Sequence, residues 1–193
     1  MRTNRKKPLQ TRSKNTVNSI LTASRQILLN DGVLKFSTNT IAKKSGVSVG
    51  SIYQYFQSKE KILDALLEIE LSISIKKLEE NLDKLSHQSL EEKLGGFLNN
   101  ISNMFAENEY LLQAQTILNK CENFNIDQFF ETEILTRSKK FFSFDENSSL
   151  SSEIENFLLL TKHSLLPSIA TPNSQTISLL NNFAKNIVQA NTQ

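Results

Sequence analysis

Thr38-Asn39-Thr40-Ile41-Ala42-Lys43-Lys44-Ser45-Gly46-Val47-Ser48-Val49-Gly50-Ser51-Ile52-Tyr53-Gln54-Tyr55-Phe56 reads as two short helices joined by one tight turn. Thr38 is the expected N-cap of a helix over about 39–45, and Ser48 of a second over about 49–55. Between them Gly46 supplies the positive φ that a sharp reversal needs. Ala42 is small where the second helix passes, and Val47 plugs the turn. Ile41, Ile52 and Phe56 are the expected core against the preceding helix. That leaves Val49, Gly50, Ser51, Tyr53, Gln54 and Tyr55 outside. An ordinary αα-corner would also carry such a turn, but this outer face suits a major groove. Hydroxyls and amides meet bases and phosphates, and small residues allow close approach. Gln54 can pair with adenine, Val49 can touch a thymine methyl, and the two tyrosines suit phosphates. Ser48 heads a helix whose free N–H groups suit a phosphate, and Lys59 adds a cation at the start of the next helix.

The charge distribution agrees. The net +2 conceals 12 Lys and Arg against 2 acids in residues 1–61, a net of +10. Residues 62–193 hold 10 against 18, a net of −8. A basic module that meets a polyanion is thus joined to a domain with another task.

Working outward, glycine and proline are scarce (five and three), and the chain reads as helical nearly throughout. Residues 1–11 are read as a basic flexible tail, 12–57 as the helix-turn-helix domain, and 58–193 as a C-terminal helical domain. The first helix is expected over 12–31. Val17, Ile20, Leu21, Ile27 and Leu28 form its apolar stripe, with Ser24 among them, and Gly32 ends it. Ser58 caps a long fourth helix into the mid-80s, with an apolar face of Ile62, Leu63, Leu66, Leu67, Ile69 and Ile73. Ser89 and Glu92 form a capping box for a helix over 90–106, in which Gly95-Gly96 marks a close contact or a bend. Further helices are expected over 108–122, 126–142, 152–166 and 174–190. The loops are the Ser-rich 147–152 and the segment 167–173, and Asn173 caps the last helix.

Residues 12–67 resemble the N-terminal domain of TetR-type transcriptional regulators. The resemblance rests on the first helix ending at Gly32, on Thr40-Ile41-Ala42, Ser45-Gly46-Val47-Ser48 and Gly50-Ser51-Ile52-Tyr53-Gln54-Tyr55-Phe56, and on Ser58-Lys59-Glu60 with Leu63 following. It implies an all-α dimer of about nine helices per chain, in which three N-terminal helices bind operator DNA. The C-terminal helices then hold a small-molecule pocket and dimerise through the last two, and an effector changes the separation of the heads and releases DNA. By motif position it places Thr38, Ser48, Val49, Gly50, Ser51, Tyr53, Tyr55 and Lys59 at the DNA. Gln54 joins them from helix-face geometry alone.

The C-terminal domain carries no such motif. Its many phenylalanines read first as core, and second as the wall of an apolar pocket for a hydrophobic or aromatic effector. The candidate lining is Phe97, Ile101 and Phe105 on the fifth helix, Gln113, Thr116, Ile117 and Cys121 on the sixth, and Phe130 and Ile134 on the seventh. The candidate homodimer face is Phe157, Leu158, Thr161 and Leu165 with Leu180, Phe183, Ala184 and Ile187.

The chain shows no nucleophile elbow, phosphate loop or dinucleotide fingerprint, and neither His87 nor His163 has a metal-motif spacing. No catalytic residue, metal or cofactor is therefore expected. One cysteine, no apolar run of membrane length and no secretory pattern at the N-terminus give a cytoplasmic expectation. The competing readings are a redox- or metal-responsive regulator switched at Cys121 or the histidines, and a helical interaction protein that does not touch DNA.

Overall fold

The computed structural model describes the backbone of residues 6–118, 126–142, 149–165 and 174–191, and side chains over 12–116, 128–142, 150–164 and 175–191. The described residues are all-α: α1 (Lys6–Asn30), a 3₁₀ turn (Val33–Lys35), α2 (Thr38–Ser45), α3 (Val49–Tyr55), α4 (Lys59–Leu85), α5 (Leu90–Glu107) and α6 (Glu109–Leu118). A run of α7 (Ile126–Phe129), a π-helical turn (Phe130–Leu135) and α8 (Thr136–Phe142) follows, then α9 (Ser149–Leu165) and α10 (Ser174–Ala190). With the α7–π–α8 run taken as one rod, as its sequence pattern suggests, nine helices stand among the described residues.

The chain packs as two compact units, one of residues 1–69 with 110–123 and one of residues 70–109 with 124–193. In the first, α1 packs on α2 and α2 on α3. The α1 stripe is inside: Ile20, Leu21, Ser24, Ile27 and Leu28 are buried, as are Ile41, Ile52, Ile62, Leu63, Leu66 and Leu67. Each such aliphatic side chain contributes roughly 1.5–3 kcal/mol of transfer free energy. From α6 the unit takes Leu111, Leu112 and Ala114, all buried, and the Arg25 guanidinium lies 6.0 Å from the centre of the Tyr110 ring.

In the second unit α10 packs on α5 and α9. Phenylalanines fill its core. The Phe97 ring meets Phe142 edge-on at 5.7 Å and Phe157 at 6.3 Å, and Phe157 stacks with Phe183 at 6.5 Å. Phe105 stacks on Phe130 at 6.3 Å. Gly96 marks a close contact, since a Cβ there would run into the Leu85 side chain. Asn108, the one residue between α5 and α6, is buried, and its Nδ2 donates to Ser74 Oγ (2.9 Å) and Met104 O (2.8 Å). Lys162 is also buried and reaches Glu131 on the π turn at 2.6 Å.

Four expectations need correction. The helix α1 begins at Lys6, not near residue 12, because a polar turn needs no apolar stripe once the helix is nucleated downstream. Pro8 falls in its first turn, where the missing N–H costs nothing. The helix α9 begins at Ser149, inside the stretch read as a loop. Ile69 and Ile73 are exposed at 44% and 49%; Leu71, Ile75, Leu78 and Leu82 are buried instead. Ser37, not Thr38, caps α2. The segment 167–173 and the proposed cap Asn173 lie outside the described residues.

A candidate DNA interface in the N-terminal unit

Hydroxyl caps set the two short helices. Ser37 Oγ accepts from Thr40 N–H at 3.2 Å, which leaves Thr38 as the first residue of α2 and half-buried. The turn follows from Gly46, whose φ of +70° lies in the left-handed region and whose N–H donates to Ala42 O at 3.1 Å. A Cβ at Gly46 would meet nothing within 4 Å, so glycine is needed for backbone conformation and not for space. Val47 is half-buried in the turn, and its N–H donates to Ser45 Oγ at 3.2 Å. Ser48 then caps α3, accepting from Ser51 N–H at 3.1 Å, with the two hydroxyls 2.8 Å apart.

Within α3 the only buried residue is Ile52, at 1% exposure. Gly50, Tyr53, Gln54 and Tyr55 are exposed; Val49 and Ser51 are half-buried, as is Lys59 at the head of α4. One aliphatic anchor thus holds a helix whose remaining surface is hydroxyl, amide, phenol and glycine. Phe56, expected in the core, is half-buried at the C-cap. The nine expected DNA residues fall on α2, α3, the turn between them and the first residue of α4. Ser13 was not singled out from the sequence; its Oγ lies 3.2 Å from Tyr55 Oη and joins α1 to the end of α3. A polar residue in a polar stretch gives no sign of such a long-range partner. The Tyr55 hydroxyl can still make a second hydrogen bond. Presented in this way on α1 and α2, α3 has the geometry of the second helix of a helix-turn-helix.

Residues 20–66 match the sequence model of the bacterial regulatory proteins of the tetR family. That stretch, from α1 into α4, is similar to the N-terminal region of that family. A fatty acid metabolism regulator protein of Bacillus subtilis (strain 168) is 32% identical over 75 residues, 39% of this chain and 38% of that protein. The match thus spans less than two fifths of that relative's length. Two solved structures share the fold over nearly the whole chain. The fatty acid degradation regulator FadR of Bacillus halodurans has a TM-score of 0.56 at 18% identity, covering 90% of this chain and 94% of that one. FadR of Bacillus subtilis, in complex with stearoyl-CoA, has a TM-score of 0.54 at 19% identity, covering 91% and 97%.

The expected effector residues are divided between the units. Phe97, Ile101, Phe105, Phe130 and Ile134 are buried in the second unit at 6% exposure or less, pressed on one another and on neighbouring rings. Gln113 and Thr116 belong to the first unit and are exposed, with Thr116 Oγ1 donating to Leu112 O at 3.0 Å. Cys121 and the Ile117 side chain lie outside the described residues. A small recess of the second unit, about 100 Å³, is instead polar, with Lys77, Asn81, Asn100, Asn103 and Glu107 in its wall. That holds a few waters, not a hydrophobic ligand. Among the described residues no helix is long and apolar enough to cross a membrane.

Most of the expected dimer residues lie inside the single chain. Phe157, Leu158, Thr161, Leu180, Ala184 and Ile187 are buried within the single chain, at 6% exposure or less, and Phe183 stacks on Phe157. The first six are covered inside the unit, and Phe183 is half-buried. The Leu165 side chain lies outside the described residues. The apolar residues that α9 and α10 leave outside are Leu159, Leu160 and Leu179, at 45%, 44% and 70%.

Proposed function

We propose that the chain is a homodimeric transcriptional repressor that holds operator DNA through α3 and releases it on binding a hydrophobic effector. The carrying observation is the α3 surface: Ile52 is its one buried side chain, Val49 and Ser51 are half-buried, and Gly50, Tyr53, Gln54 and Tyr55 are left to face a partner. The +10 charge of residues 1–61 supports duplex DNA as that partner. A second copy supplies the second reading head, so that two α3 helices enter successive turns of the major groove. Leu159, Leu160 and Leu179 are the residues proposed for that contact between copies, because they are apolar and uncovered in the single chain.

For the effector, a long acyl thioester is the proposed class. The support is the stearoyl-CoA held by the Bacillus subtilis FadR of the same fold, together with a phenylalanine-rich second unit. Phe97, Ile101, Phe105, Phe130 and Ile134 are the proposed lining, and an acyl chain would enter by parting the ring contacts among them.

The test is anisotropy binding to the DNA upstream of the chain's own coding sequence, against a scrambled duplex, with and without stearoyl-CoA. Salt-sensitive binding that favours the upstream DNA and weakens with the thioester is expected. Equal binding to both duplexes in selections from random DNA as well would sink the regulator reading. Retained DNA binding that ignores the thioester would sink the effector class alone. Tyr53→Ala, at an exposed position, is expected to lower DNA affinity about tenfold (~1.4 kcal/mol) with helix content unchanged.

A further inference from the structure

Of the residues that α5 buries, Ser102 is the one that is polar. It is 8% exposed and follows Ile101; Leu98 lies one turn before it and Phe105 one turn after, both buried. Phe105 stacks on Phe130 at 6.3 Å, so Ser102 sits one helical turn from that ring pair. Its Oγ is shut off from solvent and has no hydrogen-bond partner among the described residues.

Other buried hydroxyls of the second unit are satisfied by their own helix. Ser74 Oγ donates to Glu70 O at 2.9 Å, Ser138 Oγ to Ile134 O at 2.6 Å and Thr161 Oγ1 to Phe157 O at 2.8 Å, each four residues back. The same bond, to Leu98 O, is open to Ser102 by position, and the side chain does not make it. Ser24 on α1 is also unpaired, yet it is 0% exposed within the α1 stripe, where close packing uses its small size. Ser102 stands instead among the residues proposed as effector lining. An unpaired hydroxyl in an apolar wall costs free energy, and a ligand that brings an acceptor recovers it.

We infer that Ser102 determines which end of the effector stops at the ring cluster: its hydroxyl donates to the carbonyl oxygen at the head of the acyl chain. This rests on the reading of the second unit as the site of an acyl thioester. A neutral donor in an apolar wall suits a neutral acceptor, whereas a phosphate there would need a cation, and α5 buries none. The carbonyl is the one polar group joined directly to the apolar chain. Held at Ser102, it fixes how far the chain runs past Phe105. The rings supply affinity for any long chain, and the hydroxyl separates an acyl group from an alkyl group of the same length.

The experiment titrates the full chain and its Ser102→Ala variant with two ligands below their micelle-forming concentrations. One is stearoyl-CoA, and the other is the octadecyl thioether of CoA, in which a methylene replaces the carbonyl. The parent is expected to prefer the thioester by roughly fivefold, the worth of one hydrogen bond. Ser102→Ala is expected to bind both ligands alike, with the parent's affinity for the thioether. Its urea midpoint without ligand should not fall, because the hydroxyl removed has no partner to lose. A variant that keeps the preference for the thioester overturns the inference, as does one that loses stability and affinity for both ligands equally. A parent that binds the two ligands alike also overturns it, without recourse to any variant, and leaves the thioester reading intact. A parent that binds neither overturns that reading and the role of Ser102 together.

Discussion

The two units are built by different means. In the N-terminal unit, residues 37–58 are fixed by local chemistry: Ser37, Ser48 and Ser58 each accept a backbone N–H, and Gly46 turns the chain. In the second unit the comparable decisions are made at long range. Phe97 is held by Phe142 and Phe157, which are 45 and 60 residues away in sequence. Caps position an exposed helical surface with few buried atoms, whereas a ring cluster holds a core with few directional bonds. The first is sensitive to single hydroxyls and one glycine, the second to volume.

Substitutions that strain this contrast should differ in size. The largest effect is expected for Phe97→Ala, which leaves a cavity beside the Phe142 and Phe157 rings and should cost about 3–5 kcal/mol in urea unfolding. A cost under about 1 kcal/mol would mean that the cluster collapses easily and contributes little. Next is Gly46→Ala. With open space around the Cβ, the left-handed backbone alone should cost about 1–2 kcal/mol and weaken DNA binding through the turn. Loss of DNA binding with stability unchanged would show that the turn positions α3 without supporting the fold.

The hydroxyl pair at α2 gives a finer contrast. Ser37→Ala should cost about 1 kcal/mol and Thr38→Ala less than about half of that, in the same unfolding assay. The reverse order would return the cap to Thr38. The smallest effect belongs to Glu92, whose carboxyl accepts from the Ser89 hydroxyl at 2.7 Å and the Ser89 N–H at 3.0 Å. Those bonds, the hydroxyl first, hold its pKa below the usual 4.5. The stability they add is therefore present above about pH 4.5 and lost as pH falls through the lowered value. Glu92→Gln should narrow the stability gap to the parent as the solution is acidified, and a gap independent of pH would assign the cap to geometry alone.

How far the sequence could be read follows the same division. Gly46, Ser48, Ser58 and the Ser89–Glu92 box were legible because their partners lie within four residues. The α2 cap was misplaced by one position because Ser37 and Thr38 carry the same hydroxyl chemistry. On α9, Phe157, Leu158, Leu159 and Leu160 are one apolar run, and nothing local says that the first two turn inward and the last two outward. Periodicity recognises an apolar stripe but not the neighbour that covers it. Ile69 makes the same point in reverse: read as part of the α4 stripe, it is exposed.

The assignment of α6 to the N-terminal unit bears on modularity. The family match ends at residue 66, yet the unit that presents α3 also includes residues 110–123. A fragment cut after residue 69 forfeits the Tyr110 ring over Arg25 and three buried side chains, Leu111, Leu112 and Ala114. The unit that carries α3 is discontinuous in the sequence, so grafting residues 1–69 onto another protein as one contiguous block would transplant a domain with a wall missing.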